Sequence, residues 1–117
     1  MRFIDNVGFR GTKMTNENFE NEFYTAVMND VKILFKKGYK PTVFLDMISR
    51  NGAIETAKQL VNSKEPSPGY TKLWEMGALQ YSVENQIQDK RWKDIFTDDE
   101  REKAKKRLSD YGFKVND

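Results

Sequence analysis

A chain of 117 residues, 38% apolar and 32% charged, is long enough for one modest core under a heavily charged exterior, and reads as one domain. Twenty Lys+Arg against eighteen Asp+Glu leave +2, too little to imply nucleic acid or an anionic membrane from charge alone. With no cysteine and no histidine, disulfides, thiol chemistry and Cys/His zinc sites are excluded, and the commonest general base is missing.

Aromatic residues at 13% offset the thin apolar share, because each ring buries a large area. No apolar run approaches the roughly 18 to 20 residues that span a bilayer, and the first residues lack a secretory leader's apolar block. The expectation is a cytoplasmic protein.

In residues 1–14, Phe3, Val7 and Phe9 alternate weakly around Gly8 and Gly11, which predicts an N-terminal arm or a short strand. A single helical domain over 15–117 follows. Thr15 suits an N-cap, and apolar residues then recur at Phe19, Phe23, Val27, Val31 and Leu34, a 3.6-residue stripe that Gly38 ends. Tyr24, Met28 and Phe35 widen this face. They mark either a central helix packed from two sides or a surface for self-association.

Pro41 opens a short helix through Val43, Phe44, Met47 and Ile48 that stops at Asn51-Gly52. Another follows with Ile54, Ala57, Leu60 and Val61 inward, and residues 63–69 form a loop holding two prolines and a glycine. The stretch 69–87 is predicted as the centre of the fold: two short helices joined at Gly77, with Leu73, Trp74, Leu79, Val83 and Ile87 turned inward. Trp92, Ile95 and Phe96 anchor the next turn, and Thr97-Asp98-Asp99-Glu100 spells a capping box. The helix it opens runs through Ala104, Leu108 and Tyr111 to Gly112, with Phe113 packing back. The fold class is therefore all-α: a compact bundle of one long and four or five short helices.

Candidate chemistry is sparse. Arg101, Lys103, Lys105, Lys106 and Arg107 make the last helix basic, inviting a nucleic-acid reading. Acid at its start and base at its end equally suit the helix dipole, with Glu102 and Lys106 paired. Lys90, Arg91 and Lys93 flank Trp92, whose ring would stack on a base or a partner ring if exposed, or else belongs to the core. Glu75 and Glu84, if they converged, would form a metal or acid–base pair; the plainer reading has them accepting hydrogen bonds from helix N-termini or from Tyr and Trp donors. No histidine or cysteine is available to complete such a site. No catalytic residue, metal ligand set or cofactor motif is assigned.

Tyr39-Lys40-Pro41-Thr42-Val43-Phe44-Leu45 with Met47-Ile48, then Gly52-Ala53, Glu55, Ala57-Lys58 and Leu60, form a distinctive pattern. It continues in Gly69-Tyr70-Thr71, Leu73-Trp74-Glu75, Gly77, Leu79 and Ser82-Val83-Glu84. Phe96-Thr97-Asp98-Asp99-Glu100, Arg107-Leu108 and Asp110-Tyr111-Gly112 close it. Over residues 39–113 it resembles an uncharacterised small helical module of bacteria and phages. That module occurs alone or at the end of larger proteins, some nuclease-like or linked to defence. Ala78 and Gln80-Tyr81 depart from the charged residues expected after Gly77. The resemblance implies nucleic-acid or defence biology and transfers no catalytic residue.

The function expected is a non-enzymatic binding module for a protein or nucleoprotein partner, an inhibitor or accessory factor of a defence or DNA-processing complex. Its contact surface would combine Tyr70, Lys72, Tyr81, Lys90, Arg91, Trp92 and Lys93. The alternative is direct nucleic-acid binding through Lys90-Arg91-Trp92-Lys93 and the last helix. Neither reading needs a cofactor or a membrane, and a homo-oligomer would form through the first long helix.

Overall fold

In the computed structural model, residues 16–115 are described. They form six α-helices: α1 (Asn16–Lys36), α2 (Thr42–Asn51), α3 (Ala53–Asn62), α4 (Pro68–Glu75), α5 (Val83–Gln86) and α6 (Asp98–Asp110). Two single 3₁₀ turns, Leu79–Tyr81 and Lys90–Trp92, complete the order, and no strand occurs among the described residues. The expected all-α bundle of one long and several short helices is what forms. The arm over 1–14 and the cap at Thr15 lie outside the described residues.

The α1 stripe dictates the rest. Phe23, Val27, Val31 and Leu34 are buried along one side of a 21-residue helix about 31 Å long. α3 and α5 pack on that side, and α6 closes over both. The N-terminal half of α1 builds the first apolar cluster, in which Phe23 meets Trp92 edge-on at 5.3 Å and Phe96 at 5.1 Å. Leu34 belongs to a second cluster with Tyr70, Leu73, Ala78, Leu79 and Leu108.

The core is thus centred on Phe23, Trp92 and Phe96, which corrects the sequence expectation that Trp74 lies at its middle. Trp92 is 1% exposed and Trp74 is 47% exposed, its ring resting edge-on against Tyr111 at 5.5 Å. Leu73, Leu79, Val83 and Ile87 do turn inward. Trp74 sits one position past Leu73, about 100° further round the helix, and that rotation takes its ring off the buried face.

Helix ends explain the tight connections. α4 starts with Ser67 accepting from the Tyr70 amide and stops at Gly77. Gly77 takes φ +66°, and the Ala78 amide reaches back to the Leu73 carbonyl at 2.8 Å. α1 and α6 end with the same backward bond, Tyr39 to Leu34 and Phe113 to Leu108, each 2.9 Å. The capping box is present as read: Thr97 and Glu100 satisfy each other's backbone amides. Glu100 also accepts from Lys58 and Asn62 on α3, locking α6 to α3. Burial works against its charge, but the Thr97 amide, Lys58 and Asn62 outweigh this and hold its carboxyl below the ordinary glutamate range.

One joint is invisible in the sequence. α3 follows α2 with only Gly52 between them, so its first amides find no cap from the preceding residues. The Glu20 carboxylate, 33 residues away on α1, accepts from the Ala53 amide at 2.6 Å and from Ile54 at 3.2 Å. Gly52 has φ +87°, and a Cβ there would meet Glu20 Oε2 at 3.3 Å.

Candidate functional site

The second half of α1, the 39–44 connection into α2, the start of α4 and residues 81–84 surround one apolar cleft of about 300 Å³. Its walls include Val31, Leu34, Pro41, Phe44, Met47, Tyr70 and Leu73, and the well-exposed Val43 also borders it. The packing that forms it follows from the chain. The α1 ending at Gly38 turns Tyr39 back toward Leu34, Pro41 starts α2 beside it, and Ser67-Pro68 starts α4 nearby. A concave apolar surface of this size, carrying a few polar groups, is the usual form of a binding site.

Two carboxylates face this cleft, and their surroundings differ. Glu84 is 3% exposed, and Arg107 on α6 lies 3.6 Å from it. Burial pushes the Glu84 carboxyl above the ordinary range, and Arg107 pulls against that shift. Arg107 also donates to the Leu60 and Ser63 carbonyls, at 3.0 and 2.6 Å. The Tyr70 hydroxyl donates to the Arg107 carbonyl at 3.2 Å, and burial, then Glu84, raise that phenol above the ordinary tyrosine range.

Asp30 forms no ion pair among the described residues. Among the described residues its hydrogen-bond donor is the Gln86 amide, at 2.9 Å. Gln86 is oriented in turn by the core, since the buried Trp92 indole N–H donates to its Oε1 at 2.9 Å. An indole can only donate, so the Gln86 NH₂ is left facing Asp30. Burial raises the Asp30 carboxyl to about 6, against a lowering by Gln86. Trp92, Gln86 and Asp30 thus form a fixed line from the core to the cleft.

The predicted contact surface divides. Tyr70 and Tyr81 line the cleft, although Tyr70 is buried at 3% exposure rather than projecting. Lys72 is exposed on α4. Lys90, Arg91 and Lys93 are exposed beside Trp92, against the first cluster. Trp92 itself is a core residue with the Arg91 guanidinium 4.7 Å from its ring centre, so it has no face free for stacking. Of the two readings of Trp92, the core one holds. Tyr24 and Phe35 are nearly half exposed on α1, and Met28 is half-buried against the core.

The basic helix is largely committed to the protein's own groups. Arg101 donates to the Ile87 and Gln88 carbonyls, Lys103 pairs with Asp99, and Arg107 holds Glu84. Lys106 pairs with Asp110 at 2.9 Å, in place of the expected Glu102. Glu75 is exposed at the end of α4 while Glu84 is buried with Arg107, so the two glutamates form no joint site. Glu84 answers an arginine, where helix N-termini or ring donors were expected. No group of three carboxylates able to hold a metal occurs among the described residues, and none of their helices is long and apolar enough to cross a membrane.

Sequence reasoning missed Asp30 and Glu20. The signal for Asp30 was present: a carboxylate directly before Val31, on the edge of an otherwise apolar stripe. Comparison with family models, with curated proteins and with solved structures finds no match for this chain.

Proposed function

We propose that the protein is a non-enzymatic binding module that holds part of a protein partner in the cleft between α1, α2 and α4. The observation that carries this reading is the cleft: apolar walls, a volume of about 300 Å³, and an exposed apolar rim at Val43. The two carboxylates facing it are held by neighbours, Glu84 by Arg107 and Asp30 by Gln86, which favours recognition over bond-making. The resemblance over residues 39–113 suggests a setting in bacterial or phage defence or DNA processing, with the protein acting as inhibitor or accessory factor.

Direct nucleic-acid binding is the second reading, supported by the exposed Lys90, Arg91 and Lys93. It predicts a gel shift at low salt that fades steeply as salt is added, and a blank gel at low salt removes it. The first reading is tested with a photo-reactive side chain placed at Val43 or, separately, at Lys93, in a lysate of the source organism. A discrete protein adduct at position 43, absent at 93, is expected; the reverse pattern overturns the cleft as the contact surface.

A further inference from the structure

We propose that the partner segment held in the cleft presents an apolar side chain with an arginine or lysine beside it, the cation pairing with Asp30. The inference rests on the cleft reading and adds the chemistry of the occupant. Asp30 is half-buried at an apolar wall, and no cation among the described residues forms an ion pair with it. Its side chain is held in place by Gln86, which the Trp92 indole fixes from within the core. A preorganised carboxylate of this kind favours a cationic ligand at little further ordering cost.

Other occupants fare worse. A wholly apolar ligand would cover the Asp30 charge without pairing it, which is costly. A phosphate-bearing one would meet like charge. The other charged groups around the cleft do not replace the missing cation: Glu84 is matched to Arg107, and Lys40 is exposed at the border and forms no ion pair with Asp30. The remaining titratable groups are the phenols of Tyr39, Tyr70 and Tyr81.

Asp30 titrates near 6, so a cation that requires its ionised form binds more weakly in acid. Glu84 also titrates upward of its normal range, but it is common to wild type and an Asp30→Asn variant, so their difference isolates Asp30. Asparagine keeps an oxygen for the Gln86 amide, so the line from Trp92 stays closed.

The probe is a phage-displayed random peptide library selected on the full chain, with the selected peptides titrated by NMR against wild type and Asp30→Asn. Expected are peptides with a basic residue beside an apolar one, and amide shifts at Val31, Leu34 and Val83. Asp30→Asn should lower affinity about tenfold, and moving wild type from about pH 7.5 to about pH 5 should do much the same. Cleft-bound peptides without basic residues, or with affinity indifferent to Asp30→Asn, overturn the cation claim and leave the cleft reading standing. Acidic peptides overturn it likewise. Peptides that map elsewhere, or a selection that yields none, overturn both.

Discussion

Arg107 on α6 and Glu84 on α5 are buried against each other, Nη1 to Oε2 at 3.6 Å, and neither faces solvent as a working group. Read in sequence, Arg107 belonged to a basic helix open to a nucleic-acid or a helix-dipole reading, and Glu84 to a carboxylate pair or, more plainly, to the hydrogen-bond acceptors. In the fold each is the other's answer, and Arg107 further ties α6 to the end of α3 through the Leu60 and Ser63 carbonyls. Removing one member of such a pair leaves a buried charge. Arg107→Ala should cost about 3–5 kcal/mol in urea denaturation. Glu84→Gln should cost clearly less, since Arg107 keeps its two carbonyls. Equal losses would mean the pair is not what holds this joint.

The cap on α3 comes from Glu20, so its loss should resemble the loss of any N-cap. Glu20→Ala should lower stability by about 1–2 kcal/mol, with Glu20→Gln intermediate because its amide oxygen still accepts. Gly52→Ala should cost about 1 kcal/mol or more, through its φ of +87° and the 3.3 Å approach to Glu20. The two effects should be less than additive, because both act on one contact. Strict additivity in a double-mutant denaturation series would contradict this.

The two tryptophans should separate cleanly. Trp92→Ala should cost about 3–5 kcal/mol, whereas Trp74→Ala should cost about 1 kcal/mol, mainly its contact with Tyr111. Acrylamide should quench Trp74 fluorescence readily and leave Trp92 nearly untouched; equal quenching would place Trp92 outside the core.

Asp30 sets a pH dependence whose sign follows from burial. Its carboxyl is raised to about 6 in the fold from 3.8, so the native state favours the protonated form. The stability it contributes is full below the unfolded value and is lost as pH rises through 6. Asp30→Asn should therefore be more stable than wild type near pH 7.5, with the gap narrowing toward about pH 4. Paired thermal melts across that range check it. A gap that stays constant would show that the fold does not raise the Asp30 carboxyl.

How much of this was legible follows from the range of each interaction. The α1 stripe, the helix stops at Gly38, Gly77 and Gly112 and the capping box at Thr97 are local, so spacing alone reveals them. The Glu20 cap spans 33 residues and the Asp30–Gln86 bond 56, and nothing local announces either. The tryptophans divide for a related reason: Trp74 was expected inward, and Trp92 stood open between a stacking surface and the core. Trp74 stands between Leu73 and Glu75 on a helix whose apolar residues suggest burial, but Leu73 takes the inward direction. Trp92, flanked by charge in sequence, is drawn in by Phe23 from distant α1, against which the nearby Phe96 also packs. The candidate site was half visible: Tyr70 and Tyr81 were named, while Asp30 was overshadowed by the stripe beside it.

The most direct measurement is an NMR titration of the full chain with small aromatic and aliphatic fragments, each carrying an amine or guanidine group. If the cleft is the working surface, fragment binding should shift the amides of Val31, Leu34, Phe44 and Val83 first, and Val43→Lys at the rim should abolish those shifts without moving the melting temperature. Shifts centred on Lys90 to Lys93, or no saturable binding in the cleft, would contradict the account.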